Sequence, residues 1–372
     1  MGISNQSCAT WEVEAAAKSL KTQSPAEANS VITRSLRYFL TIILVVDLYI
    51  PSSVVGKPIT DDLKSIKAVE GLIDIFDRYS LVALGEVHGS RTAHDFIISL
   101  IRHPSFPNKV NDIVVEFGNA KYQNLMDRYI DGEMIAYMEL RQAWRNTTQP
   151  TTVWDLPIYE RFFATVRAIN QNLPKTKRVR VLLGDPPVDW DVIKSTSDFM
   201  PFTERDEHFA RVVEKEVFNK GRKALLIAGT FHLIRCQMKF TNVALRVEKL
   251  RPGSLFIVMP HHGFAERNDE LEMRLSSLPK PALVIVKNTW LGDLSTDLIY
   301  PVLKRLTELM PDGTPVPDSS PLRRLKFQDI TDAYLYFGPK ASLIEDRLPP
   351  EVERDVDYKR ELDRRRKIWG IG

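Results

Sequence analysis

The residues able to do chemistry in this chain are unevenly placed. Of its seven histidines, His88, His232, His261 and His262 each come just after a short apolar run of strand type, and His94 follows closely on the first of these runs. Carboxylates take matching positions: Glu86 ends LVALGE, Glu116 ends DIVVE, and Asp185 follows VLLG. A carboxylate directly after such a run is costly to bury without a partner, so structure alone rarely puts it there. Carboxylates and imidazoles together suit two tasks. One is general base activation of a water. The other is holding a divalent metal that lowers the pKa of its bound water. Zinc, manganese and iron all accept such ligands, and the residue types do not choose among them.

Other chemistries lack their signatures. There is no GxSxG elbow for a serine hydrolase. There is no phosphate-binding P-loop, no GxGxxG after the first strand and no HExxH helix. Cys8 and Cys236 form neither a CxxC pair nor a zinc-ribbon spacing.

The elements that must position these groups follow a regular alternation. A helix is expected over 61–79, then a strand at Leu81–Leu84. Glu86 and His88 lie two apart at its end, so in extended chain they point the same way. Gly89 turns the chain, Ser90 is a good N-cap, and His94 falls in the first helical turn. Ala93, Phe96, Ile97, Leu100 and Ile101 form that helix's apolar stripe. Further strands are expected at 112–117, 179–183, 224–228, 255–259 and 282–286, with 333–337 as a seventh. Helices are expected at 204–220 and 351–369, the latter with its RELDRRRK run as a solvated face. Apolar runs alternating with amphipathic helices mean an α/β fold, a mostly parallel six- or seven-stranded sheet with helices on both faces. In such a sheet the strand C-termini share one edge, where ligands bind.

The bland alternatives are specific. Glu86 could pair with Arg91, His94 could edge the apolar stripe, Asp185 in GDPP could be a turn former, and His261-His262 could be loop residues. His103 and His208 have no supporting context.

At 372 residues and a net charge of +3, with no clustered basic patch beyond RELDRRRK, no nucleic-acid partner is indicated. Residues 1–30 form a polar leader. Residues 31–56 have the basic, apolar (38–50) and small-residue parts of a signal peptide, or form a membrane anchor. The 13-residue apolar run, with Asp47 inside it, is short for a transmembrane helix. Read from Val31 as the start, it is an ordinary bacterial export signal, which predicts a periplasmic or membrane-anchored protein. Residues 57–345 then make a single α/β domain, and 346–372 a charged C-terminal helix.

LGEVHGSRTAH resembles the Gly-Glu-x-His…His signature of ChaN-like haem-uptake proteins. VVEFGNAKYQNLMDRYIDGE resembles their strand ending in Glu, then a Gln and a helix leading to Gly. WDLPIYERFFATVRAIN and VLLGDPP follow in the right order, and AGTFHL resembles the late Gly-x-x-His element. The ordered set covers residues 65–240. ChaN-like proteins are grouped with Tiki-type metalloproteases and, more distantly, erythromycin esterases. The resemblance matches Glu86, His88, Glu116 and His232 to active-site elements. In Tiki-type members the Gly-x-x-His positions, here Gly85–His88 and Gly229–His232, bear on metal binding. In the esterases, histidine and glutamate are taken to activate water without a metal. The chain departs from the pattern in having no lipobox cysteine, and in a Glu86–His88 spacing one residue shorter than in the esterases.

The expected function is an exported hydrolase of an ester or amide bond in a small molecule or peptide. Either His88, oriented by Glu86 or Glu116, activates water, or His88, Glu116 and His232 hold a metal that does so. Arg91 is placed to neutralise a developing oxyanion. His94, Asp185, His261 and His262 would assist substrate placement or hold the central groups. The alternatives are a haem- or iron-binding uptake protein without turnover and, more weakly, a degenerate interaction module.

Overall fold

The computed structural model describes residues 63–236, 241–261, 269–300 and 324–370. The leader, the apolar run 38–50, His262 and most of the proline-rich loop 311–325 lie outside them. Among the described residues no helix is long and apolar enough to cross a membrane.

Among the described residues, eight strands form one sheet. They are β1 (Ser65–Lys67), β2 (Leu81–Glu86), β3 (Asp112–Asn119), β4 (Arg180–Asp185), β5 (Ala224–Gly229), β6 (Leu255–Pro260), β7 (Ala282–Ile285) and β8 (Ala333–Tyr336). Their order is β1-β7-β8-β6-β2-β5-β3-β4. The run from β8 to β4 is parallel throughout, and β7 is antiparallel to both β8 and β1. Every residue of β2, β3, β5 and β6 is buried, which is why these strands read as continuous apolar runs rather than alternating ones. The helices that bear on the argument are α1 (Ala68–Ile75), α2 (Arg91–Arg102), α3 (Gln123–Asp131), α4 (Pro157–Gln171), α5 (Arg205–Val212), α6 (Thr230–Leu233), α7 (Val243–Leu250), α8 (Asp269–Leu275) and α9 (Val356–Trp369).

The sheet has one strand more than expected. The start of the anticipated 61–79 helix is β1, three residues paired to β7. Three residues are too few for a two-residue period to show. The expected 204–220 helix is α5 followed by a π-helical turn, Val213–Val217, and a short 3₁₀ turn. The C-terminal helix is two pieces, Pro350–Arg354 and α9. The arginine run in α9 is not a plain solvated face. Arg365 is buried and donates to the Arg145 carbonyl and to Asn146 Oδ1, and Arg364 donates to the carbonyls of Trp190 and Ile193. These arginines satisfy carbonyls of loops that lie over the sheet edge.

Two glycines let β2 and β4 carry acids at their ends. A Cβ on Gly85 would lie 2.7 Å from Pro260 Cδ, and one on Gly184 would lie 2.3 Å from the Phe209 ring. Glu86 and Asp185 follow these glycines directly, so the close approach of neighbouring elements and the placing of the acids go together. At the far edge, Gln123 of α3 donates to the Val181 carbonyl and accepts from Leu183 N, both at 2.8 Å, which covers the exposed backbone of β4.

Candidate active site

The four strands β2, β5, β3 and β4 are adjacent and parallel, and their C-terminal ends bring two buried carboxylate clusters to one edge. The first is centred on Glu86, which is 3% exposed. Its Oε1 accepts from His94 Nε2 at 2.8 Å and from the Tyr159 hydroxyl at 3.0 Å. Its Oε2 accepts from His88 Nδ1 in a very short contact. Ser90 caps α2 by accepting from Ala93 N, which sets His94 in the first turn and turns it back towards the strand end. Burial works to raise the Glu86 pKa, but His88 and His94 together outweigh it and bring the carboxyl down to about 2. The surroundings are aromatic. Trp154 meets His88 edge-on at 4.7 Å, Tyr159 meets His94 at 4.9 Å, and Phe117 lies against both Tyr159 and Trp154. Such a wall strengthens the hydrogen bonds it encloses.

The second cluster is centred on Glu116, which is also buried. Oε1 accepts from Arg205 Nη2 at 2.7 Å and Oε2 from the Gly229 backbone N–H at 2.7 Å. Arg205 Nε also donates to Asp185 Oδ1 at 3.2 Å, so one guanidinium bridges two carboxylates. Asp185 accepts twice more from Thr148, at the backbone N–H and at the hydroxyl, both 2.6 Å. His232, in α6, stands between carboxylates: Nδ1 lies 2.8 Å from Asp206 Oδ1 and Nε2 3.4 Å from Glu116 Oε1.

The electrostatics of this cluster follow from those partners. Burial raises the Glu116 pKa, yet His232 and Arg205 hold the carboxyl well below its usual range. His88 adds to that lowering across the site, so the two clusters share one field. Burial opposes a charge on His232, but Asp206 and Glu116 raise its pKa well above the ordinary value. Asp185 goes the other way, pushed up to about 6 by burial although Arg205 and Thr148 favour its ionised form.

The structure thus brings together Glu86, His88 and His94 in one cluster and Glu116, Asp185 and His232 in the next. His94 is more than the edge of a stripe, since it donates directly to Glu86. Arg91 has a different place from the expected one. Its guanidinium is half exposed and pairs with Asp346 at 2.5 Å, away from any strand-end carboxylate. His261 is buried but engages a separate set, the Tyr334 hydroxyl at Nδ1 and Glu272 of α8 at Nε2. His208 donates to the Gly184 carbonyl at 2.8 Å and helps hold the end of β4. Sequence reasoning missed Arg205, Asp206, Tyr159 and Thr148. The adjacent Arg205-Asp206 opens α5 within a charged stretch that gives no local signal of an inward face.

The donor set can be tested against a metal. Among the described residues no three His, Cys, Asp or Glu side chains gather to hold one. Both Glu116 oxygens are taken by N–H donors, and Arg205 already supplies the cation that a carboxylate pair needs. The set His88, Glu116 and His232 does not fit a metal in this arrangement. His94, His232 and His261 are buried, whereas His88 is partly exposed.

No family model matches this sequence, and no curated protein does. Solved structures do resemble it. A Bacillus cereus protein aligns over 77% of this chain and 97% of its own at 10% identity, with a TM-score of 0.49. A mutant of the erythromycin esterase EreC, in its open conformation, covers 75% of this chain and 94% of its own at 10% identity, with a TM-score of 0.45. ChaN of Campylobacter jejuni with cofacial haem covers 52% of this chain and 86% of its own at 17% identity, with a TM-score of 0.35.

Proposed function

We propose that the protein is a hydrolase of an ester or amide bond in which His88 activates water and His232 protonates the leaving group. The observation that carries this reading is that the two imidazoles are tied by Nδ1 to different carboxylates at one sheet edge. Glu86 fixes the ring orientation of His88. In its neutral form, an imidazole whose Nδ1–H is held this way carries its basic lone pair on Nε2. That nitrogen takes a proton from water as the water oxygen bonds to the carbonyl carbon. Glu86 stays ionised and stabilises the imidazolium formed. His232 carries the opposite charge state at neutral pH, held as imidazolium by Asp206 and Glu116. It gives its proton to the departing oxygen or nitrogen as the bond to carbon breaks. Groups whose surroundings push their pKa values apart are suited to such divided roles. Arg205 keeps Glu116 and Asp185 from repelling one another, so the acidic side of the site holds its shape.

Hydrolysis of 4-nitrophenyl acetate and acetyl 4-nitroanilide by parent and His88→Ala tests this. The variant is expected to lose about 10²- to 10⁴-fold in kcat/KM. Equal rates in parent and variant would remove His88 from the reaction. Elemental and visible-absorption analysis of the same preparation distinguishes the alternatives. A stoichiometric metal, or a Soret band on mixing with haemin, would move the reading to metal or haem chemistry.

A further inference from the structure

We infer that Asp346 is a positioning residue for the Glu86–His88 pair, acting from the far end of the chain. The N-cap position of α4 is Leu156, whose side chain cannot accept a hydrogen bond, and Pro157 follows. The N–H groups of a first helical turn need acceptors from elsewhere. Asp346 Oδ2 supplies one, accepting from Ile158 N at 3.0 Å, and a carboxylate there also suits the helix dipole. The next residue of α4 is Tyr159, whose hydroxyl donates to Glu86 and accepts from Gly89 N at 3.3 Å.

The same aspartate holds the other side of the elbow. Asp346 N donates to the Gly89 carbonyl at 2.7 Å. Gly89 directly follows His88 and sits at φ +84°, a conformation that glycine adopts without strain. Its N–H is therefore fixed by Tyr159 and its carbonyl by Asp346. Two further bonds extend the clamp: Thr92 N donates to the Ile344 carbonyl at 3.2 Å, and Ile344 N donates to Thr92 Oγ1 at 2.8 Å. The Asp346 side chain is 2% exposed while Arg91, on its other oxygen, is 47% exposed. The buried bonds, rather than the surface pair, do the holding. Asp346 thus sets the helix that presents Tyr159 to Glu86 through its side chain and the turn that aims His88 through its backbone N–H, and a side-chain substitution removes only the first.

The inference rests on the hydrolase reading only for its activity readout. The test uses the full chain with Asp346→Ala and Asp346→Asn, measuring kcat and KM on 4-nitrophenyl acetate and the ring ¹⁵N shifts of His88 by NMR. Asp346→Ala is expected to lower kcat about 10- to 100-fold with KM within about twofold, as small misplacements of a catalytic group do, and to move the His88 shifts. Asp346→Asn keeps an oxygen for Ile158 N–H and is expected to recover most of kcat. If Asp346→Ala is merely less stable, with kcat and His88 shifts equal to the parent, Asp346 is a helix cap only and the inference fails. Should the alanine variant not fold, unaltered His88 shifts together with reduced kcat in Asp346→Asn would overturn it in the same way. A parent that hydrolyses neither probe removes the hydrolase reading, and the His88 shifts then decide the clamp on their own.

Discussion

Glu86, at the end of β2, and Glu116, three residues before the end of β3, are both buried glutamates on adjacent-but-one strands, and their charges are balanced in opposite ways. Glu86 is held by two imidazoles and a phenol, all groups that can lose or change their proton. Glu116 is anchored by a guanidinium and a backbone N–H, which cannot at ordinary pH, and faces only one imidazole, His232, at 3.4 Å. The first carboxylate is therefore held only by groups with exchangeable protons, and the second is pinned by a permanent cation with one imidazole beside it. That difference suits the Glu86–His88 side to taking a proton from water, and leaves Glu116 as a stationary charge that keeps His232 protonated until it acts as the acid.

The largest effect should come from removing the fixed cation. Arg205→Met leaves Glu116 and Asp185 buried without it, and a loss of about 3–5 kcal/mol in denaturant unfolding is expected. A loss below about 1 kcal/mol, as for a surface pair, would show that the two clusters are not balanced differently. Glu86→Gln probes the other side. The Glu86 pKa lies at about 2 against an ordinary 4.5. A depressed carboxyl adds stability above its unfolded pKa and loses it as pH falls through the folded one. Relative to Glu86→Gln, the parent should thus lose on the order of 3 kcal/mol between about pH 4.5 and 2. Parallel stability curves for the two proteins over that window would contradict the assigned balance.

The seven longer strands were legible because burial on both faces demands unbroken apolar runs, and the acids and histidines stood out by interrupting them. Glu86, His88, Glu116, Asp185 and His232 could each be read as lying at one sheet edge for that reason. Their pairing could not. Arg205 and Asp206 lie in a charged stretch, TERDEHF, where nothing marks two residues as turned inward. Tyr159 sits within YERFF, where it reads as one more apolar position of α4. Asp346 is separated from Arg91 by more than two hundred residues, and a cap supplied from that distance leaves no local pattern. Arg91 itself was misplaced because a cation at a helix start beside Glu86 and His88 suits an oxyanion as well as it suits Asp346.

The most direct measurement is the pH dependence of kcat/KM for the anilide, in which a poor leaving group needs the acid. Because Asp206 and Glu116 raise the His232 pKa well above 6.5, the imidazolium persists through neutrality and is lost only as pH climbs through that raised value. The parent should hold its rate past neutral pH and then decline on the alkaline side, and His232→Gln should lack that decline at a much lower rate. An alkaline limb that begins below pH 6.5, or one that survives in His232→Gln, would contradict the division of roles between His88 and His232.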